Sequence, residues 1–357
     1  MQSSSNDFAV QGLRVRSAVL SCLLFLLFLV ILKLAKPLLT PIALAAFFFL
    51  LLVPLVSMLG RLGIPRSIAA TTVIALLFGC LGLASLRFAE PAAKWVDEIP
   101  QLVPSIKDKL LPVSEPISKI EAAASQVEDL TQLAQASTTA TVQLEDRSIF
   151  DALMEAAPTL VISVVIVLFL TFFLLVYGER LRENIAQLGR NFAEKRRLVR
   201  MGRDIQNEIS RFLSSIMLIN IALGAVSALV FWMLEVPNYL LWGSAVTIAN
   251  FVPYIGAAGM FVVLAAVGLI SFETLAEAAM VPLSFLVLTV IEGQLVTPIL
   301  VGRRLDLSPL VIFVAVIFWS YIWGLVGALV AVPIVASTKI VLGHIPSTRP
   351  LARLLGR

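Results

Sequence analysis

The chain of 357 residues is 59% hydrophobic and only 14% charged, with a mean hydropathy of +0.97. A soluble domain of this length could not bury so many apolar side chains, so the composition excludes a soluble protein and predicts an all-α polytopic membrane protein. The net charge of +4 therefore carries information about topology, and it gives no reason to expect a nucleic-acid partner.

Motifs for enzymatic chemistry are missing from the sequence. Cys22 and Cys80 both lie within apolar runs and His344 is the single histidine, so we expect no disulfide framework, no metal site and no cofactor. The sequence has no His-Glu-x-x-His motif and no phosphate-binding Gly-rich loop with a Lys. We therefore do not expect an enzyme or an ATP-driven pump.

The first three apolar runs predict an N-terminal transmembrane scaffold, residues 1–88. A span needs about 20 apolar residues to cross a hydrocarbon core of roughly 30 Å, and the whole chain has room for about eight hydrophobic segments. The first three cover 18–34, 37–59 and 68–88. Arg61 and Arg66 flank the turn between the second and third runs, which places that turn and the N-terminus in the cytoplasm.

Residues 89–157 differ in composition, because apolar runs stop, prolines recur and acidic residues outnumber basic ones. Apolar residues at helical spacing, such as Trp95, Ile99 and Leu102, predict short amphipathic helices. We interpret this segment as a helical insert on the extracytoplasmic side of the membrane.

A fourth span and a basic helix follow in residues 158–211. The span, 158–177, runs inward, and the arginines and lysines after it predict a cytoplasmic stretch. Leu198, Met201 and Ile205 begin an apolar repeat of three or four residues, which predicts an amphipathic helix that continues directly into the fifth span, 212–234. We interpret its basic face as a contact with lipid headgroups.

Two later apolar stretches are interrupted by Gly, Pro and aromatic residues. The stretch 240–270 is interrupted at 250–256 and the stretch 309–341 at 319–327, which leaves halves of roughly 10 to 16 residues that are too short to span comfortably. The interruptions share a pattern, Phe251-x-x-Tyr254-Ile255 and Phe318-x-x-Tyr321-Ile322. We therefore expect both stretches to be re-entrant helical hairpins.

The basic pair Arg303 and Arg304 sets the orientation of these hairpins, because it is expected in the cytoplasm. If 240–270 crossed fully, the next span, 278–297, would run outward and leave both arginines outside. If 240–270 enters and returns as a hairpin, the arginines reach the cytoplasm. The transport region 212–341 then holds a span plus hairpin twice in opposite orientation, as in the inverted repeats of secondary transporters, and the basic tail 342–357 is cytoplasmic.

Glu292 is the central candidate of the site, because an ionisable side chain in an apolar run is costly and marks a functional site by default. Broken backbone at membrane depth must be buried in protein or line a wet cavity, so both interruptions are expected to meet near the midplane around a solute cavity. The predicted solute or ion pathway has six residues: Glu292, Gln294, Asn250, Tyr254, Tyr321 and Asn220. The predicted hinges or hairpin tips are Pro253, Gly256, Gly259, Pro298, Gly324 and Gly327.

These residues also have structural interpretations, and the sequence alone does not choose between the two. Glu292 could hydrogen-bond neighbouring amides or freed backbone instead of coupling an ion. The prolines could be plain kinks, and the Gly-x-x-Gly pairs could permit tight helix packing. Arg303 and Arg304 could attract an anionic solute or only fix the topology.

The motifs at 250–256, 292–298 and 302–309, with the Trp-Gly-x-x-Gly run behind them, resemble those of the autoinducer-2 exporter family, also called PerM-like permeases. The resemblance covers nearly the whole chain. It implies a multi-pass inner-membrane protein of a bacterium or archaeon, a homo-oligomer such as a pentamer, and an elevator-type movement of the C-terminal region. Some members are assigned autoinducer-2 export, and others sodium-or-lithium/proton antiport.

Three functional hypotheses follow. The first is a secondary transporter that exports a small polar metabolite, such as autoinducer-2, by alternating access, with Glu292 binding H⁺ or Na⁺. The second is a sodium(lithium)/proton antiporter that uses the same Glu292. The third is a channel or membrane scaffold in which the interrupted segments only pack. In the transporter hypotheses the partners are the lipid bilayer and a small polar solute or ion, and both termini are cytoplasmic.

The orientation of the paired hairpins can be tested by cysteine labelling. In a background without Cys22 and Cys80, Arg303→Cys should resist a membrane-impermeant thiol reagent added to intact cells and react after permeabilisation, because position 303 is expected in the cytoplasm. Ser137→Cys, in the predicted extracytoplasmic insert, is the matched position that should react in both conditions. Labelling of position 303 in intact cells would refute the paired-hairpin topology.

Overall fold

The computed structural model describes residues 19–20, 23–24, 26–98, 149–301 and 306–356, and nearly all of them are helical. Within these ranges, six helices are long and apolar enough to cross a membrane, and three further apolar helices are shorter. The pairing of Leu307 with Gly356 is an isolated bridge and not part of a sheet. The prediction of an all-α polytopic membrane protein is therefore confirmed.

The helices are numbered here in chain order, starting after the helical residues described between 19 and 34. They are α1 (Lys36–Arg61), α2 (Arg66–Glu98), α3 (Ile149–Gln187), α4 (Phe192–Met233), α5 (Tyr239–Ala249), α6 (Ile255–Ser271), α7 (Leu275–Ile291), α8 (Thr297–Leu300), α9 (Pro309–Trp323), α10 (Leu325–His344) and α11 (Arg349–Leu354). A π-helical turn, Glu292–Val296, joins α7 to α8, and a 3₁₀ turn, Pro346–Thr348, precedes α11.

Two predictions fall on residues outside the described ranges. Most of the predicted extracytoplasmic insert lies in 99–148, and the basic pair Arg303 and Arg304 lies in 302–305. Both therefore remain predictions.

The amphipathic helix and the fifth span form one continuous helix, as predicted. Helix α4 has 42 residues, which at 1.5 Å per residue is about 63 Å, roughly twice the thickness of a hydrocarbon core. Its charged first half must therefore extend beyond the membrane. A reciprocal cap starts the helix: the Glu194 N–H donates to the Asn191 side chain at 2.8 Å, and the Arg190 N–H donates to the Glu194 carboxylate at 2.8 Å.

The chain forms two compact units. The first comprises Met1–Leu51, Ser163–Ile209 and Asp306–Arg357, so far as they are described, and contains α9 and α10. In it, α3 packs on α1, where the buried Thr171 hydroxyl donates to the Ala45 carbonyl at 3.5 Å. A Cβ at Gly178 would lie 3.3 Å from the Phe49 ring, so glycine permits this close approach.

The second unit comprises Leu52–Ile162 and Ser210–Leu305, so far as they are described, and contains α5, α6 and α7. Its buried core includes Phe231, Trp242, Leu264 and Phe285. Helices α6 and α7 approach so closely at Gly268 that a Cβ there would lie 2.2 Å from the Ala278 carbonyl oxygen. Small residues allow membrane helices to pack in this way.

Both predicted interruptions are present. The first separates α5, of 11 residues, from α6, of 17, and the second separates α9, of 15 residues, from α10, of 20. The expectation that every half is too short to span is wrong for α10, because 20 residues reach about 30 Å. The reason is that α10 starts directly after Gly324 and continues to His344, beyond the apolar run that ended at 341 in the sequence pattern.

Candidate functional site

The first interruption is held by a pair of asparagines. Pro253 cannot donate a backbone hydrogen bond and disfavours helical geometry at the residue before it, so α5 must end upstream. Asn250 lies directly after α5, and its Nδ2 donates to Oδ1 of Asn220 on α4 at 2.9 Å. This bond ties the broken backbone to the fifth span.

Asn220 is almost completely buried, with 1% of its surface exposed. Its own Nδ2 is enclosed without a hydrogen-bond partner in the part of the chain that the structure describes. Leaving a buried donor unpaired costs about 1–3 kcal/mol. The amide is therefore a place where an oxygen atom of a solute or of water would be stabilised.

Tyr254 closes the first interruption in a strained backbone conformation. Its φ of 63° and ψ of −54°, with the Ile255 N–H donating to the Pro253 carbonyl at 2.7 Å, define a γ-turn with positive φ. A non-glycine residue held in such a region costs on the order of 1–3 kcal/mol, and such strain clusters at functional sites. Tyr254 is 49% exposed at the break.

Gly256 lets the two halves of the first interrupted segment come together. A Cβ at this position would lie 1.8 Å from the carbonyl oxygen of Ala249, the last residue of α5. Around Gly259, one turn further along α6, nothing lies within 4 Å of a Cβ. The two glycines of this Gly-x-x-Gly pair therefore have different surroundings.

Two glycines shape the second interruption. Gly324 separates α9 from α10 with φ 67° and ψ −144°, a conformation that essentially requires glycine. A Cβ at Gly327, on the first turn of α10, would lie 1.9 Å from the Trp319 carbonyl oxygen of α9. Trp319 and Trp323 pack against each other next to this contact, with ring centroids 4.8 Å apart.

The second interruption also contacts the helical segment before α1. The Trp323 Nε1 donates to the Leu32 carbonyl at 3.2 Å, close to the helix end where carbonyls lack intrahelical partners. The Lys33 ammonium lies 4.8 Å from the Tyr321 ring centroid, a cation–π contact on an exposed side chain. Tyr321 is therefore paired with a cation rather than with another predicted site residue.

Glu292 lies at the start of the π-helical turn. Pro298 has no N–H and would clash with the carbonyl of Gln294 in a regular helix, and the π-turn accommodates this mismatch. The turn brings residues five apart onto one face: the Thr297 N–H donates to the Glu292 carbonyl, and its hydroxyl donates to the Glu292 carboxylate. Glu292 is only partly buried, and Gln294, on the same turn, is exposed.

The structure thus joins some of the predicted pathway residues and not others. Asn220 and Asn250 bond each other, whereas Glu292 bonds Thr297 within its own segment. Thr297 was not among the predicted site residues. A Glu followed five residues later by Thr and then directly by Pro is the sequence signal that could have identified it.

An apolar groove of about 390 Å³ lies between α1 and α10 in the first unit. Ala43 and Phe47 line one wall and Val330 and Pro333 the other, with Ser337 among the few polar residues. An apolar groove suits a lipid chain better than a polar solute, so we do not assign it to the solute pathway.

Comparison with known families decides the class of protein. The profile of the AI-2E family transporters matches residues 20–347, which is nearly the whole chain. The chain belongs to the AI-2E transporter family. The broken apolar helices described above are thus features of a membrane transporter.

Relatives with similar sequences cover nearly the full length of this transporter. It is 25% identical to the AI-2 transport protein TqsA of Escherichia coli K12 over 90% of each chain. It is 24% identical to the provisionally named transport protein YhhT of the same strain, over 90% of this chain and 89% of that protein. YrrI of Bacillus subtilis strain 168, also provisionally named a transport protein, is 23% identical over 87% of each chain.

The two glycines of α6 offer a matched test of the first interruption. Gly256→Ala should destabilise the transporter by about 1–3 kcal/mol or more, since its methyl group would overlap the Ala249 carbonyl oxygen. Gly259→Ala should be neutral or stabilising by up to about 1 kcal/mol, because the space is open and alanine favours a helix. Thermal unfolding in detergent micelles measures both, and equal effects would contradict the close approach at Gly256.

Proposed function

We propose that this AI-2E family transporter is a secondary transporter, not an enzyme, that exports a small polar metabolite resembling autoinducer-2 by alternating access. The observation that carries the proposal is the first interruption: a break in an apolar segment, next to a buried amide with an unpaired N–H. Freed backbone groups at membrane depth need protein or water around them. A wet, polar break in an apolar segment is where a solute would bind.

The polar groups at the first interruption suit a solute with hydroxyl and carbonyl oxygens. Asn220 contributes a buried donor, and the exposed Tyr254 contributes a hydroxyl that can donate or accept. The relative TqsA bears the name of an AI-2 transport protein, and this name supports the same class of solute.

We further propose that Glu292 binds the coupling ion, H⁺ or Na⁺. Helix α7 is apolar around it, and ionisable residues in such positions mark ion pathways in transporters. One carboxylate oxygen accepts from the Thr297 hydroxyl, which leaves the second oxygen available to an ion. The π-turn holds this arrangement, and π-turns are frequent at functional sites.

The movement that we propose is an elevator-type exchange of the region 212–341 against a scaffold formed by 1–88, within a homo-oligomer in the inner membrane. The two interrupted segments would form a pair of hairpins that enter the membrane in opposite orientation. Opposed broken helices of this kind are common in secondary transporters. Arg303 and Arg304 would lie on the cytoplasmic side with both termini.

A sodium(lithium)/proton antiporter is the second candidate, and Glu292 is the observation that favours it. A single carboxylate that binds H⁺ and Na⁺ in turn would exchange the two ions with no organic solute. The antiporter and the exporter therefore share a site and differ in what crosses the membrane.

Glu292→Gln should abolish ion coupling while preserving the fold, since an amide oxygen can still accept from Thr297 but cannot bind and release a proton. In proteoliposomes with a pH gradient, the initial rate of autoinducer-2 uptake should fall by about tenfold or more, equivalent to about 1.4 kcal/mol. Glu277→Gln is the matched control. The Glu277 carboxylate also accepts from a threonine, Thr274, at 2.9 Å, but at the start of α7.

The outcomes separate the candidates. Autoinducer-2 flux that is lost only in Glu292→Gln supports the coupled exporter. Sodium- or lithium-driven proton flux without autoinducer-2 flux supports the antiporter. A wild-type flux that depends on neither the proton gradient nor the sodium gradient would support the channel or scaffold hypothesis. Unchanged flux in Glu292→Gln would refute the role of Glu292 in ion coupling.

A further inference from the structure

The single histidine of the chain joins two distant segments of the first unit. His344 is the last residue of α10, and its Nε2 lies 3.1 Å from Oδ2 of Asp204 on the charged half of α4. Its Nδ1 lies 2.9 Å from the Ile340 carbonyl oxygen. The His344 and Asp204 side chains are 22% and 35% exposed, so the contact is largely shielded yet within reach of water.

The partners of the two ring nitrogens fix the number of protons at this contact. A carbonyl oxygen only accepts, so the Nδ1 contact is a hydrogen bond only when Nδ1 carries a hydrogen. In a neutral imidazole with its hydrogen on Nδ1, Nε2 can only accept a hydrogen bond. An ionised Asp204 carboxylate can also only accept, so the two atoms could not bond each other. Both contacts are hydrogen bonds only if the pair holds a further proton, as imidazolium with carboxylate or as imidazole with carboxylic acid.

Other charged groups surround the pair. Glu208, one turn beyond Asp204 on α4, interacts electrostatically with Asp204, His344 and Lys339. Lys339 on α10 forms an ion pair with Asp306 at 3.4 Å. Arg349, at the start of α11, donates to the Gly343 carbonyl at 3.3 Å.

Partial burial and charged neighbours both act on Glu208, beside the pair. Partial burial raises the pKa of Glu208, and the neighbouring Asp204 raises it further, whereas His344 and Lys339 lower it. A raised carboxyl pKa means that the contribution of Glu208 to folding is full at low pH and is lost as the pH rises through that pKa.

We propose that His344 and Asp204 form a proton-binding clasp that fixes the end of α10 to the charged half of α4, and that loss of the shared proton weakens it. Below the titration midpoint of the pair both hydrogen bonds are intact. Above it, the neutral imidazole has one hydrogen for two acceptors, so only one of the two contacts can be a hydrogen bond, and the bond to Asp204 loses the charge of the imidazolium. Because α10 is the second half of an interrupted segment, the mobility of that segment depends on pH. The inference does not depend on which solute is transported.

The single histidine makes the test direct. Protein labelled with ¹⁵N-histidine and purified through a histidine-free tag has one imidazole to observe, and magic-angle spinning NMR in proteoliposomes reports the protonation of each ring nitrogen. Asp204→Asn should lower the pH at which the ring loses its second proton, since the nearest carboxylate is removed. Glu208→Gln should lower it less, and Glu183→Gln, an exposed acid on α3, should leave it unchanged.

Hydrogen–deuterium exchange supplies the second measurement. Corrected for intrinsic exchange, amides of residues 338–348 should exchange about tenfold faster above the midpoint than below it in the wild type, and at the faster rate throughout in Asp204→Asn. The proposal is overturned if the wild-type ring remains a single neutral tautomer over the whole pH range in which the protein is folded. It is also overturned if Asp204→Asn and Glu183→Gln shift the midpoint equally, or if exchange does not change across the midpoint.

Discussion

The fold depends on one constraint: inside a hydrocarbon core every backbone N–H and C=O group must be hydrogen-bonded, because lipid offers no partner. Long helices satisfy this requirement along α1, α3 and α4. The regular helical pattern of these bonds is interrupted at two places, Asn250–Tyr254 and Gly324, where an apolar helix stops and a second one begins. What surrounds these two breaks therefore decides what the protein can do.

Each break is closed by a glycine that touches the carbonyl of the preceding helix. Gly256 approaches the Ala249 oxygen, and Gly327 approaches the Trp319 oxygen, at distances that no side chain would allow. Side-chain hydrogen bonds lie beside both breaks: Asn250 donates to Asn220 at the first, and the Trp323 indole N–H donates to the Leu32 carbonyl near the second. At the first break, the buried Asn220 Nδ2 has no hydrogen-bond partner among the described residues, and it is the group that we propose for a solute.

The sequence predicted the helical class, the long α4 and the positions of both breaks, because apolar run length, periodicity and Pro or Gly are local signals. Contacts between distant residues could not be predicted in this way. Asn220 and Asn250 are 30 positions apart, and His344 and Asp204 are 140 apart. The shared Phe-x-x-Tyr pattern at Phe251 and Phe318 does not mark equivalent positions in the fold. Phe251 and Tyr254 lie in a break, whereas Phe318 and Tyr321 lie within α9. The sequence pattern did not predict the π-turn, because the turn depends on a threonine that bonds Glu292 five residues away.

The central claim is that the first break faces water in an otherwise apolar region. In a cysteine-free background in proteoliposomes, the most direct measurement compares the modification rates of Tyr254→Cys and Val262→Cys by a small, charged thiol reagent. The native side chains are 49% and 66% exposed, so exposure in the protein alone would favour position 262. We expect position 254 to react at least about tenfold faster, because a charged reagent and the reactive thiolate both require water. Equal rates, or faster reaction at position 262, would contradict a water-lined break.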